Sequence, residues 1–276
     1  MRRQRGQGPR QRRLRRGAAG RGRGRRATAA RVLWTGGELA VTLGVVMLLF
    51  VVHQVWWTNR QARQGAQREV AALEREWRTR GPDGSAPDAD PSGSGPAGRG
   101  PERDRAGATR TGQDSGGTAR APRRDQSYAV LRIPRIGLTV PVAEGVSRSA
   151  VLNRGYVGHY PGTAQPGQAG NVALAGHRNT HGEPFRQLDE VRRGDTVRID
   201  TAAARYTYVV ERTLPRTSPR DGTVTAKVPY SSAHPGQRFT EPGYYLTLTT
   251  CTPEFTSRYR LVVWGRLKTA VPRTAG

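Results

Sequence analysis

Cys251 is the only cysteine in 276 residues, and it ends the alternating run YYLTLTTC that starts at Tyr244. In an extended strand Leu246, Leu248 and Thr250 share one face, and Tyr245, Thr247, Thr249 and Cys251 share the other. The thiol is therefore on the more polar face, out of line with the leucines, which argues against an inert core cysteine. A nucleophilic thiol needs a neighbour that accepts or favours its proton, because at an unperturbed pKa of about 8.5 only a few per cent is thiolate near neutrality. It also needs positive charge or hydrogen-bond donors where an oxyanion develops on the attacked carbonyl.

The chain holds five histidines, His53, His159, His177, His181 and His234. His53 lies in an apolar run and is set aside. His177 stands out among the other four. In NVALAGHRNTHGEPF, Val172 and Leu174 mark the buried face, and Ala173, Ala175 and His177 the opposite one, so the imidazole emerges at a strand end after Gly176. His181, four residues on, invites a metal reading, but there is no HExxH motif and no cysteine pair, so no metal is expected. For the cation, RYRLVVWG offers Arg258 and Arg260 on one strand face with Val262 and Trp264. Periodicity does not choose between them.

The elements that must position these groups are strands. YAVLRI, LTVPVA, NVALAG, DTVRID, RYTYVVERTL, GYYLTLTTC and RYRLVVWGRL are short, rich in Val, Leu, Thr and Tyr, and divided by Gly, Pro and Asp turns. This pattern predicts an all-β domain, sandwich or barrel, starting near residue 126. SRSAVLN (147–153) and EPFRQLDEV (183–191) read as single helical turns between strands. LPRTS (214–218) reads as a turn after a strand.

Upstream the composition changes twice. Residues 1–37 carry 13 arginines and no acid, about half of the chain's net charge of +25, with too few apolar residues to fold. LAVTLGVVMLLFVVHQVWW (39–57) then contains no Asp, Glu, Lys or Arg, and as a helix it covers about 28 Å, close to the hydrocarbon thickness of a bilayer. Trp56 and Trp57 fall where an interfacial aromatic belt belongs, and the arginines ahead of the span predict a cytoplasmic N-terminus. The expected organisation is a cytoplasmic Arg-rich tail (1–37), a transmembrane helix (38–58), a helical stalk (59–80) with Val70, Leu73 and Trp77 at helical spacing, a disordered Gly/Pro/Ser/Ala linker (81–125), a catalytic domain (126–270) and a short tail (271–276). From Gly81 to Ser127 there is no Val, Ile, Leu, Met, Phe, Trp or Tyr. Such a segment builds no core, and it reads as a tether that holds the domain clear of the membrane. With an anchor in place the arginine tail meets anionic lipid headgroups rather than nucleic acid. A lone exported cysteine has no partner within its own chain for a disulfide.

The block TLTTC, an arginine nine positions after its cysteine, and an upstream strand ending in AGH together resemble the sortases, the membrane-anchored cysteine transpeptidases of Gram-positive bacteria. The resemblance covers residues 126–268. GHYPGTAQPGQAGNVALAGHRNTHGEPF looks most like the class E sortases of actinobacteria. It implies an eight-stranded sortase-type β-barrel with short helical turns, and it implies Cys251 as nucleophile, His177 as general acid/base, and Arg260 rather than Arg258 as the oxyanion or substrate-positioning cation. Thr249 and Thr250 would line the substrate groove. It further implies cleavage of an LAxTG or LPxTG sorting signal between Thr and Gly through a thioester, and transfer to an amine of a peptidoglycan precursor. The implied partners are secreted proteins bearing C-terminal sorting signals and the plasma membrane, held through residues 38–58. No nucleic acid, metal or cofactor is expected. The calcium site of some sortases is not suggested, since the 214–244 segment has only Asp221 and Glu241 as acids. Two other readings fit the same residues: an exported cysteine peptidase with water as acceptor, and a non-catalytic membrane-tethered domain that binds cell-wall polymers.

Overall fold

The computed structural model describes residues 21–79 and 122–273; the expected tail before residue 21 and most of the expected linker lie outside the described residues. The chain divides into two units, Met1–Gln54 and Val55–Gly276. One long helix, α1 (Arg21–Thr79), contributes to both. Within it an 18-residue window has a mean hydropathy of 2.1, which makes it long and apolar enough to cross a membrane. Leu43 and Leu49 are more than 60% exposed, so these apolar side chains have no protein to cover them.

The second unit is built on eight strands: β1 (Ser127–Ile133), β2 (Leu138–Glu144), β3 (Val157–His159), β4 (Gly170–Ala175), β5 (Thr196–Thr201), β6 (Ala204–Thr217), β7 (Tyr244–Thr252) and β8 (Tyr259–Pro272). They close into a barrel in the order β1-β2-β3-β4-β7-β8-β6-β5. Closure leaves no free sheet edge. Most neighbours are antiparallel, but β2–β3 and β4–β7 run parallel. The β4–β7 pair matters most, because it brings the ends of the AGH and TTC strands out on the same side.

Seven strands correspond to the seven segments read from the sequence. β3 does not, because its three residues, Val157, Gly158 and His159, are too few to show alternation. The two expected helical turns appear as 3-10 turns at Leu152–Arg154 and Leu188–Glu190. LPRTS is not a turn: Leu214–Thr217 complete β6, and Thr217 pairs with Arg260 on β8.

The inward faces supply the main core, with Leu131, Ile133, Val172, Leu174, Ile199, Leu246, Leu248 and Val263 in one cluster. Two outward faces are buried as well. Val130 points out of the barrel yet is wholly covered, because Val70 and Leu73 of α1 pack on it with Trp77 beside them. Ala62, Ala66, Val70 and Leu73 recur at helical spacing on the buried side of α1, all under 9% exposed. The expected stalk is therefore a helix packed against the barrel.

The second covered face is that of Cys251. Tyr245, Val262 and Trp264 cluster with Leu214, Val224 and Phe239, the last two contributed by the 218–243 connection between β6 and β7. Val224 O accepts from both Trp264 Nε1 (3.0 Å) and Thr247 Oγ1 (3.1 Å), and Asn171 Nδ2 donates to Ala226 O (3.0 Å). The threonine-rich face of β7 is polar so that it can fasten this cover, not so that it can meet water.

Candidate active site

The pairing register assembles the site. In the parallel β4–β7 ladder Ala175 sits opposite Thr249, so His177 leaves β4 two residues beyond the last pair, level with Cys251 two residues beyond Thr249. In the antiparallel β7–β8 ladder Cys251 sits directly opposite Arg260. Directly opposed residues share a face and approach within about 5.5 Å at the backbone. Histidine, cysteine and arginine thus form a row across three adjacent strand ends, at the point where the buried face of β7 runs out and Cys251 becomes partly exposed.

The row is held by backbone contacts. Gly176 N donates to Thr249 O (3.2 Å), and Thr250 Oγ1 donates to Gly176 O (2.8 Å), which stitches the exit of β4 to β7 beside the thiol. Gly176 has a further reason to be glycine, since a Cβ there would meet the Phe185 ring at 2.7 Å. Thr249 and Thr250 are 4% and 3% exposed. Thr249 Oγ1 lies 3.1 Å from Tyr160 Oη and 3.3 Å from Leu174 O, so both threonine hydroxyls are engaged within the protein. Arg260 Nη1 donates to the carbonyls of Ser257 (3.1 Å) and Tyr259 (3.0 Å), which fixes its guanidinium at the start of β8. Arg258 precedes that strand, is exposed, and lies over the Tyr259 ring at 5.3 Å.

His177 Nε2 lies 2.9 Å from Asn153 Oδ1. The amide oxygen accepts, so Nε2 carries the proton and Nδ1 of a neutral ring is left with its lone pair. The ring stacks on His181, with centroids 5.4 Å apart. Burial first, then the neighbouring His181 and Arg148, lower its pKa from 6.5 to about 4, so the imidazole is neutral at physiological pH. Asn153 orients the ring, while burial, His181 and Arg148 set its pKa. Asn153 has no signature in the sequence, because a 3-10 asparagine becomes a partner only once β2, β3 and β4 are in register.

The remaining histidines separate cleanly. His159 is fully buried, with Nδ1 2.7 Å from Glu144 Oε2 and Nε2 3.0 Å from Ala164 O and 2.9 Å from Thr163 Oγ1. His234 lies in the 218–243 connection, where its backbone N–H donates to Ser231 Oγ (3.0 Å). In that connection Asp221 is a structural knot. Burial raises its pKa, but hydroxyl donors from Ser231, Thr217, Thr223 and Ser232 outweigh it and hold the carboxyl far below its ordinary value. No cluster of three or more metal-ligating side chains occurs among the described residues.

A closed barrel brings a thiol, an imidazole and a guanidinium to neighbouring strand ends, an arrangement that can carry cysteine-dependent acyl transfer. Comparison with known proteins agrees. The model of the Sortase domain family matches residues 131–268. Sortase SrtE1 of Streptomyces coelicolor is 39% identical over 245 residues, covering 87% of this chain and 58% of that protein. The chain thus spans little more than half of that relative's length. Sortase SrtE2 of the same organism is 33% identical over 257 residues, 91% of this chain and 88% of that protein. The crystal structure of Streptomyces coelicolor Sortase E1 with a tripeptide in its active site superposes with a TM-score of 0.51 at 46% identity, over 55% of this chain and 94% of that one. The chain belongs to the sortase family. Sortases as a family act on proteins that bear sorting signals and on cell-wall precursors.

Proposed function

We propose that this chain is a class E-type sortase, a cysteine transpeptidase that cleaves an LAxTG- or LPxTG-type sorting signal between Thr and Gly and passes the acyl group to an amine of a cell-wall precursor. The observation that carries the reading is the register of β4, β7 and β8, which brings His177, Cys251 and Arg260 to one level. Cys251 Sγ attacks the Thr carbonyl carbon as its proton passes to Nδ1 of the neutral His177. Arg260, opposite Cys251, supplies positive charge where the carbonyl oxygen becomes an oxyanion. The tetrahedral intermediate collapses by breaking the C–N bond. The leaving glycine amine takes the proton back from His177, and a thioester on Cys251 remains. An imidazolium whose acidity is raised by burial and by two neighbours is a weak base but a ready proton donor, which suits the step that expels an amine. An acceptor amine then repeats the sequence in reverse, with His177 as base, and restores the thiol.

Thr249 and Thr250, expected to line the groove, are almost wholly buried with their hydroxyls engaged inside the protein, so their part is to fix the strand end that carries Cys251. The apolar part of α1 anchors the chain in the plasma membrane. The arginines before it keep the N-terminus cytoplasmic, and the barrel faces the wall. Full-length protein in detergent micelles, mixed with an LAxTG or an LPxTG peptide, tests the reading by intact-protein mass spectrometry. The expected result is an acyl adduct that Cys251→Ala abolishes and that an added amine discharges into a peptide–amine product. A folded protein with a titratable thiol and no adduct from either peptide would overturn it.

A further inference from the structure

The loop that follows His177 is held in an unfavourable backbone conformation by residues far away in sequence. His181, Gly182 and Glu183 all have positive φ, at 53°, 84° and 53°. Two of the three are not glycine, and side-chain-bearing residues adopt this region only where their surroundings over-determine it. The surroundings here are two residues of α1. Asn59 Oδ1 accepts from Gly182 N (3.2 Å) while its Nδ2 donates to Glu183 Oε1 (2.9 Å). Arg63 Nε donates to Gly182 O (3.1 Å) and its Nη2 to Glu183 Oε2 (2.8 Å). Both backbone groups of Gly182 and both carboxylate oxygens of Glu183 are thus engaged by Asn59 and Arg63, and Arg186 Nη1 also donates to Glu183 Oε2 (3.0 Å). Glu183 is only 9% exposed, so its charge is one that must be paired.

The same turn of α1 backs the other partner of His177. A Cβ on Gly155 would meet Ala62 O at 3.0 Å and His181 O at 3.2 Å, so at this glycine α1, the 181–183 loop and the segment carrying Asn153 converge with no room for a side chain. Asn153 ends in the hydrogen bond to His177 Nε2, and His181 in the stack on its ring. We propose that Asn59 and Arg63 are positioning residues for the reaction: the helix just after the apolar span clamps the 181–183 loop and the Asn153 segment so that His177 is held in place for Cys251. The inference rests on the reading of His177 as the general acid/base. It gives the helical segment 59–66 a part in catalysis, beyond serving as a spacer. The packing of Ala62, Ala66, Val70 and Leu73 keeps the helix on the barrel; the Asn59–Arg63 clamp sets what the loop beneath it does.

The test uses the full chain in detergent micelles, comparing wild type with the Asn59→Ala/Arg63→Ala double variant and with Arg63→Lys alone. Two quantities are followed: the rate of acyl-enzyme formation, and the titration of the His177 ring by NMR of 13C-labelled histidine, assigned with His177→Gln. In the double variant the acylation kcat is expected to fall about tenfold or more while KM stays within about twofold, the mark of lost positioning rather than lost binding. The His177 midpoint is expected to rise above about 4 as the released loop lessens the burial of the ring and His181 leaves it. Arg63→Lys, which keeps the charge on Glu183 but not the fork that also reaches Gly182 O, should fall between. A cooperatively melting double variant with an unchanged rate and midpoint would overturn the proposal, and so would a slower rate with an unmoved midpoint. If the double variant fails to melt cooperatively, Arg63→Lys carries the test: an unmoved rate and midpoint there overturn the proposal. If wild type itself forms no adduct, the sortase reading fails, while a midpoint that moves in the variant still establishes the clamp.

Discussion

Two histidines leave the ends of adjacent strands in this barrel, and they do opposite work. His159 ends β3, is fully buried, and has a protein partner on each ring nitrogen: Glu144 on one, Ala164 O and Thr163 on the other. His177 follows β4, is half-buried, and has one nitrogen on Asn153. A ring with both nitrogens satisfied ties β2, β3 and the 160–165 turn together and has no lone pair to spare. A ring with one nitrogen committed is oriented and keeps the other for a proton. Residue type and strand-end position were alike for both; the number of partners is what separates a structural histidine from a reactive one.

Exchanging the two side chains for alanine is the strongest way to break that comparison. His177→Ala should lower the acylation rate about 10²–10⁴-fold, the usual worth of a positioned general acid/base, with little change in melting temperature. His159→Ala should do the reverse. It leaves Glu144 and Ala164 O short of a buried partner, at a cost of about 1–3 kcal/mol, and the protein that stays folded should keep its acylation rate. Intact-mass kinetics and thermal melts on both variants read the two effects separately. Equal losses of rate would mean that His159 is not merely structural.

The next effect concerns the arginines, a second pair of similar residues that the register separates. Cys251 faces Arg260 across the β7–β8 ladder, whereas Arg258 lies before the strand. Arg260→Ala should cost about 10²–10³-fold in acylation kcat, the scale of one lost oxyanion contact. Arg258→Ala should leave the rate near that of wild type. A comparable loss in both would assign the effect to the general positive field of the strand ends.

How far these distinctions were legible in the sequence depends on the range of the interaction involved. Alternation marked seven strands, and TLTTC and AGH located the thiol and the imidazole, because each is a pattern within one segment. β3 was missed because three residues carry no period. The polar face of β7 was rightly separated from the leucines, but its burial under Val224 and Phe239 depends on where the 218–243 connection folds back. The docking of α1 was half visible. Val70, Leu73 and Trp77 have helical spacing, but the residues nearest the site, Ala62 and Ala66, are small and sit among Arg, Gln and Gly, so the sequence suggests a helical stalk and not its docking. His181 is visible only as a second histidine four residues on, and its stack on His177 is not. Asn153, Asn59 and Arg63 have no signature at all, since each acts across the fold on a residue that only the closed barrel brings near.

The smallest expected effect, and the one that most sharpens the contrast, lies in the pH dependence of His177, whose ring stacks on that of His181. With a native pKa of about 4 against 6.5 when unfolded, the unfolded chain binds more protons than the native one between those values. Stability contributed by the neutral ring is therefore fully present above about pH 6.5 and is lost progressively as the pH falls towards 4. The acid limb of kcat/KM, which reports the neutral base in the free enzyme, should follow the same group and fall near pH 4 instead of 6.5. His181→Ala removes one of the influences that lower this pKa. It should move the limb upward by part of that interval, since burial, the largest cause, and Arg148 remain. Measuring kcat/KM for acylation between pH 3.5 and 8 (about the window in which an imidazole so placed titrates) checks the direction. A limb unmoved by His181→Ala would show that burial alone sets the pKa of His177 and that the stacked ring only orients it.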